Sequence, residues 1–272
     1  MFIRTEKSIK DFIHFYPVVS TLVIINIVLF LLTDVIPLPT IEALQQCTIT
    51  NPSTLGKQLY ECGMGFNPLV AHGEYWRLVT AMFLHGGLTH VLFNSFALVL
   101  FAPPLEQMLG KIKFLTLYFI AGIIGNVGTY LVDPAMLNPH IGASGAIYGI
   151  LGLFLFMVFF RKDLMDPGST QIIMVIVIIG LIMSFLRTGI NISAHVFGMI
   201  GGFAMGPLIL GKAQPFSTWR NQPRQRKNDD VQFNPNRWRK RRPLNPDTVK
   251  KIVWTVIGIL VVAGVLSAIG II

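Results

Sequence analysis

The sequence predicts an all-α protein, a polytopic membrane helical bundle, on three observations. Of its 272 residues, 53% are hydrophobic and 13% are charged, whereas soluble domains carry about 25% charged residues. Several apolar runs reach the roughly 18 to 20 residues that a helix needs to cross a bilayer. The thirteen Asp and Glu residues fall outside these runs or at their edges. A soluble globular protein is therefore excluded.

The apolar runs predict seven membrane spans, six in a core and a seventh after a basic linker. The first run follows a short basic segment, but it is too long for the apolar part of a signal peptide. No small-residue cleavage site follows it, so we expect this span to be retained. The spans are expected near residues 17–36, 88–105, 113–132, 143–160, 170–186, 193–211 and 251–272.

The division of the chain follows from these spans. A cytoplasmic N-terminal segment, 1–16, precedes a six-helix core at 17–211, whose loop 37–87 is the one long segment on the outer side. A basic cytoplasmic linker, 212–250, leads to an additional C-terminal transmembrane helix at 251–272.

The distribution of positive charge sets the expected orientation, because Lys and Arg concentrate on the cytoplasmic side of membrane proteins. With the N-terminus inside, 19 of the 22 Lys and Arg residues lie on the inner side and three lie outside. Seven spans then place the C-terminus outside. The short loops and compact chain favour a bacterial plasma membrane.

The basic linker contains the run WRKRRP at 238–243. Such runs can indicate nucleic-acid binding. In a protein with several spans we interpret this one as a topology signal that is attracted to anionic lipids of the inner leaflet. Membrane lipids are therefore an expected partner and nucleic acid is not.

The outer loop contains both cysteines of the chain, Cys47 and Cys62. An oxidising exterior would allow a disulfide between them. Two unpaired thiols fit the sequence equally well, so both states stay open at this point.

Polar side chains inside a span indicate function, because they are expensive to bury in lipid. Once span ends are set aside, four remain: His90 and Asn94 in span two, Ser144 opening span four and His195 opening span six. His90 and Asn94 are four residues apart and share a helical face. Spans two, four and six run in the same direction, so we expect all four side chains at similar depth near the outer surface.

Glycines indicate how spans four and six would meet. Gly145 and Gly149 follow Ser144, and Gly198 and Gly202 follow His195 on its own helical face. Small residues spaced by four allow helix backbones to approach closely in lipid. We therefore expect the two spans to pack together and to bring the serine and histidine side by side.

A serine within hydrogen-bond reach of a neutral imidazole is an activated nucleophile. Asn94, His90 and the backbone N–H groups that open span four could stabilise the oxyanion of a tetrahedral intermediate. No acidic residue lies inside the apolar core of a span, where it could orient His195. The expected unit is therefore a Ser-His dyad.

With these residues, the chain resembles the rhomboid family of intramembrane serine proteases over roughly residues 15–211. The resemblance rests on five motifs in the family's order. They are Trp76-Arg77, His90 with Asn94, Glu106 with Gly110, Gly142-Ala143-Ser144-Gly145, and Ala194-His195 with Gly198 and Gly202.

The resemblance implies a role for each matched residue. Ser144 would be the nucleophile and His195 the general base, Asn94 and His90 would form the oxyanion site, and Tyr148 would stack near His195. Trp76-Arg77 and Glu106 would be structural. The supporting glycines are Gly142, Gly145, Gly198 and Gly202.

The family's fold and substrates are further implications of the resemblance. It implies a water-filled cavity that opens outward beneath the loop 187–193, with lateral substrate entry near span five. The substrates would be transmembrane proteins, cut near the outer surface where their helix is locally unstable. The seventh span departs from the minimal family pattern and has no assigned role.

Other functions fit less well. No His is followed by Glu, so the HExxH motif of zinc proteases is absent, and His85, His90 and His195 lack a carboxylate or cysteine at their depth. No metal or cofactor is expected, and an aspartyl protease would need two Asp within the spans.

A non-catalytic rhomboid-like protein typically lacks the serine or the histidine. A channel would need polar groups through the full membrane depth.

Overall fold

The computed structural model describes residues 4, 6–33, 55–187 and 189–218, which are helical apart from turns, loops and one isolated β-bridge. Residues 219–272 lie outside the described part of the chain. The described α-helices are α1 (Ile9–Phe15), α2 (Pro17–Thr33), α3 (Leu55–Gly63), α4 (Asn67–Ala71), α5 (Arg77–Thr80), α6 (Leu88–Leu109), α7 (Lys111–Val132), α8 (Ser144–Phe160), α9 (Pro167–Leu186), α10 (Ile192–Ala204) and α11 (Gly206–Ile209).

Several of these helices have the length and composition of membrane spans. α6, α7 and α9 are long and apolar enough to cross a membrane, and the bent pair α1 and α2 adds a fourth if it counts as one span. α8 and α10 are apolar but shorter, with 17 and 13 residues. The helices are those of a membrane helical bundle. The count of six core helices stays a prediction, and the expected seventh span at 251–272 lies outside the described residues.

The helix of the second predicted span, α6, continues through Pro103 and Pro104 to Leu109, four residues past the expected end near residue 105. Pro103 has no N–H to donate to the carbonyl of Val99, four residues earlier. Arg4 supplies that bond instead, with Nη1 donating to the Val99 oxygen at 2.7 Å.

Glu106 lies within this extension and is buried. Its carboxylate accepts hydrogen bonds from the backbone N–H groups of Val18 at 3.0 Å and Val19 at 2.9 Å. These N–H groups belong to the first turn of α2 and have no partner within their own helix. The carboxylate therefore caps α2, which agrees with the structural role that the resemblance implied.

The predicted outer loop 37–87 contains three α-helices, α3 to α5, and a 3-10 helix, Ala81–Phe83, in its described part. Arg77 is fully buried there. Its Nη1 donates to the carbonyls of Glu61 at 2.8 Å and Met64 at 2.9 Å, and its Nε pairs with Glu74 at 2.6 Å. The guanidinium thus holds the end of α3 against α5.

The structure describes one of the two cysteines, Cys62, and so decides between a thiol and a disulfide at that position. Cys62, in α3, is disulfide-bonded. Trp76 Nε1 donates a hydrogen bond to its carbonyl at 3.2 Å. Cys47 lies outside the described residues.

The helices differ in how deeply they are packed. α8 is central, with twelve of its seventeen residues buried, and it packs mainly against α7 and α10. α9 is peripheral: of its twenty residues only Ser169, Ile173, Val177 and Ser184 are buried. The functional candidates of α8 and α10 therefore lie in the best packed part of the bundle.

Candidate active site

Ser144 and His195 meet although 51 residues separate them in the chain. Ser144 is the first residue of α8, and His195 lies in the first turn of α10. The Asn191 side chain caps α10, with Oδ1 accepting from the Ala194 N–H at 3.0 Å. His195 Nε2 is 2.8 Å from Ser144 Oγ, which is hydrogen-bonding distance.

Glycines bring the two helices into backbone contact. A β-carbon on Gly198 would run into the Gly145 carbonyl, and one on Gly202 would run into the Gly149 carbonyl. α8 and α10 can therefore approach this closely only with glycine at these positions. The short reach from Ser144 to His195 depends on that approach.

Tyr148, one turn after Ser144, lies flat against the imidazole of His195. The two ring centroids are 4.1 Å apart and the ring planes differ by 12°. This is the stacking that the resemblance implied. It restricts the imidazole to one plane, so that its two nitrogens point in fixed directions.

His90 and Asn94, from α6, lie beside the loop that leads into α8. Gly142, in that loop, has a φ of +126°, and a β-carbon there would lie 2.6 Å from His90 Nε2 and 3.5 Å from Asn94 Nδ2. Gly142 therefore has both a backbone conformation and a steric reason to be glycine. Its N–H donates to the Ala81 carbonyl at 2.8 Å.

The side-chain amide of Asn94 has an unpaired N–H donor among the described residues. Its Nδ2 is buried and has no hydrogen-bond partner within the described part of the chain. The first turn of α8 has no side-chain cap, so its backbone N–H groups are also without a capping acceptor. His90 and Asn94 thus lie close to Gly142, two residues before Ser144 and the start of α8.

His85 is a further buried histidine in this region. Its ring meets that of His90 edge to face, with centroids 5.0 Å apart. Burial, and secondarily the neighbouring His90, lowers the pKa of His85 to about 3. His195, in contrast, contacts a serine hydroxyl through each of its ring nitrogens.

Comparison with known proteins identifies the family. A family model described as the Rhomboid domain matches residues 72–212, more than half of the chain. YdcA of Bacillus subtilis (strain 168), a rhomboid relative, is 42% identical over 214 residues, which cover 79% of this chain and 98% of YdcA. The chain belongs to the rhomboid family.

Other rhomboid relatives match less of their own length. The rhomboid protease GluP of Bacillus subtilis (strain 168) is 41% identical over 170 residues, 62% of this chain and 33% of GluP. RHOMBOID-like protein 5 of Arabidopsis thaliana is 31% identical over 186 residues, 68% of this chain and 59% of that protein. The chain is thus a multi-pass membrane protein and an intramembrane serine hydrolase of the rhomboid type.

One residue of the rhomboid site escaped the sequence analysis. Ser184, near the end of α9, is buried, and its Oγ lies 2.7 Å from His195 Nδ1 and 2.8 Å from the Tyr148 hydroxyl. Ser184 was not among the candidates because it lies near the end of a predicted span. Its spacing from Ile173 and Val177, which places the serine on the one buried face of α9, was the sequence signal that could have identified it.

Proposed function

We propose that this rhomboid enzyme cleaves transmembrane segments of other membrane proteins, with Ser144 as nucleophile and His195 as general base. The 2.8 Å separation between Ser144 Oγ and His195 Nε2 carries this proposal. Ser144 Oγ attacks the scissile carbonyl carbon while its proton moves to His195 Nε2. The same proton then goes to the leaving amine as the C–N bond breaks, and a water repeats the sequence to release the acyl group.

Asn94 and His90 are proposed to stabilise the oxyanion, together with the backbone N–H groups at the start of α8. The support is the unpartnered Asn94 amide and the closeness of both side chains to Gly142. Donors that are fixed before the reaction stabilise the developing charge without having to reorganise.

The site is proposed to lie near the outer membrane surface, with the N-terminus in the cytoplasm of a bacterial cell. The positive-inside distribution supports this orientation. It places the N-terminal ends of α6, α8 and α10, which carry the site, on the outer side. Substrate helices would be cut where they leave the bilayer, and the basic linker would attract anionic lipids of the inner leaflet.

Substrates are proposed to enter beside α9 and to be single-span proteins. The support is the sparse packing of α9, most of whose residues are exposed. A peptide bond in an intact helix is shielded by its own hydrogen bonds, so Gly, Pro or other helix-destabilising residues near the scissile bond should favour cleavage.

Purified protein in detergent tests the proposal against a non-catalytic binding function. The wild type should cleave a model transmembrane substrate, and Ser144→Ala should not, while it keeps the wild-type unfolding midpoint. Cleavage that persists in Ser144→Ala would disprove the nucleophile assignment. A wild type that binds the substrate but never cleaves it would favour a rhomboid-like protein that only recognises transmembrane segments.

A further inference from the structure

The hydroxyl of Ser184 lies at the centre of three short contacts. Its Oγ is 2.7 Å from His195 Nδ1, 2.8 Å from the Tyr148 hydroxyl and 2.8 Å from the carbonyl oxygen of Gly180. The side chain is buried, at 1% exposure. Because all three contacts are of hydrogen-bond length, the available protons determine which group donates in each.

Only one assignment of donors places a proton in each of the three contacts of Ser184 Oγ. A serine hydroxyl donates one hydrogen and accepts up to two, whereas a carbonyl only accepts. The Ser184 proton therefore goes to the Gly180 carbonyl. Tyr148 O–H and His195 Nδ1–H then donate to the two lone pairs of Ser184 Oγ, and each contact contains one proton.

The alternative arrangement leaves a contact without a proton. If Ser184 donated to His195 Nδ1, then its Oγ and the Gly180 oxygen would face each other at 2.8 Å with no hydrogen between them. The neutral imidazole would also carry its N–H on Nε2, facing Ser144. In that state His195 could not accept the serine proton.

We propose that Ser184 is a positioning residue that holds His195 in the tautomer protonated on Nδ1. Nε2 then presents a lone pair to the Ser144 hydroxyl, as a general base requires. This inference rests on the proposed function. When His195 takes the Ser144 proton, Nδ1–H continues to donate to Ser184, so the contact serves both states of the ring. Ser184 would thus act on Ser144 only through His195.

The packing of α9 fits this assignment. Gly180 and Ser184 are four residues apart and share the buried helical face. A β-carbon on Gly180 would lie 3.0 Å from the Tyr148 hydroxyl. The glycine therefore leaves room for the tyrosine to reach Ser184, so that the tyrosine and histidine that stack on each other both donate to one oxygen.

Kinetics of the full-length protein in detergent test the proposal. In Ser184→Ala the His195 Nδ1–H loses a buried acceptor, so we expect kcat to fall about 10- to 100-fold while KM stays unchanged. The labelling rate of Ser144 by a small fluorophosphonate should fall by a similar factor, because that reaction needs the activated serine but no docked helix. Ser184→Thr keeps the hydroxyl and should restore both rates.

Ser169→Ala is the matched control on the same helix. Ser169 is also buried and hydrogen-bonded, to Asp166, but it lies at the opposite end of α9. This variant should keep the wild-type kcat and labelling rate. The unfolding midpoint of each variant is measured as well, because a midpoint close to that of the wild type shows that the variant is folded and that only the contact is lost.

Nitrogen NMR of ¹⁵N-histidine-labelled wild type tests the tautomer without any change at Ser184. The His195 signals, assigned by their loss in His195→Gln, should show the proton on Nδ1 of the neutral ring. A proton on Nε2 would overturn the proposal, and so would a Ser184→Ala enzyme whose kcat and labelling rate stay within about twofold of wild type.

A loss confined to KM, with unchanged labelling, would also overturn it and would assign Ser184 to substrate docking. These outcomes differ from a failure of the proposed function, which would appear as an inactive wild type or an active Ser144→Ala.

Discussion

The guanidinium of Arg4 donates a hydrogen bond to the carbonyl of Val99 at 2.7 Å. Proline at position 103 leaves that carbonyl without its usual helical partner. The N-terminal segment thus satisfies one of the two carbonyls of α6 that the consecutive prolines leave without a helical donor. Arg4 also lies over the ring of Phe12, 5.4 Å from its centroid, which fixes the side chain in place.

Arg4→Met should therefore destabilise the fold. Removing the donor leaves the Val99 carbonyl unpaired, and we expect the free energy of unfolding to fall by about 1 to 2 kcal/mol. Denaturant titration in detergent micelles measures this loss. Lys7→Met, at an exposed neighbouring position, is the control and should change stability little. Equal losses in the two variants would point to charge removal rather than to the bond.

Gly198→Ala should separate the two helices that carry the site. The added methyl meets the Gly145 carbonyl, so α10 must move away from α8 and carry His195 away from Ser144. A misplacement of about 1 Å can lower turnover about 100-fold, and we expect a loss of that order in kcat. The control is Gly211→Ala, because no atom lies within 4 Å of a β-carbon there. Normal turnover in Gly198→Ala would show that the glycine contact between α8 and α10 does not set the distance between Ser144 and His195.

Asn94→Ala should impair turnover more than substrate binding. Loss of one oxyanion donor typically lowers kcat about 100- to 1,000-fold, and KM should change little because the charge develops only in the transition state. The neighbouring Ser95→Ala is a matched control, since its buried hydroxyl has no hydrogen-bond partner among the described residues. A rise in KM at constant kcat would instead assign Asn94 to substrate docking.

The sequence predicted much of this arrangement because the chemistry depends on side chains that are rare in membrane spans. His90, Asn94, Ser144 and His195 stand out against apolar neighbours, and the structure brings them to one end of the bundle. Ser184 did not stand out, since a serine at a span end has many ordinary explanations. Its significance comes from the contacts of α9 with two other helices.

Helix boundaries were harder to predict for a physical reason. Pro103, Pro104 and Glu106 each resemble the end of a span when judged locally. The helix continues because groups distant in sequence satisfy it: Arg4 bonds the carbonyl that Pro103 leaves free, and Glu106 caps α2. These compensations depend on the packing of α2 against α6 and on the position of Arg4 beside Val99, which local sequence does not encode.

His140 provides a test of how pH affects the fold outside the membrane spans. It precedes α8, exchanges two backbone hydrogen bonds with Gly65 at 2.8 and 2.9 Å, and burial lowers its pKa to about 4 from the ordinary 6.5. The unfolded chain therefore binds more protons than the folded one between these values. The stabilisation that depends on neutral His140 is complete above pH 6.5 and is lost as the pH falls toward 4.

We expect the loss of stability from protonation of His140 to reach about 3 kcal/mol near pH 4, since each unit of pKa shift corresponds to about 1.4 kcal/mol. The free energy of unfolding, measured from pH 7 to pH 4, should fall less steeply in His140→Gln than in the wild type. His14→Gln, at an exposed position of α1, is the matched control and should follow the wild-type profile. If His140→Gln loses stability with the wild-type slope, then another group is responsible for the acid sensitivity. Because His140 lies four residues before Ser144, a shallower slope would also connect the acid stability of the fold to the loop that leads to the proposed nucleophile.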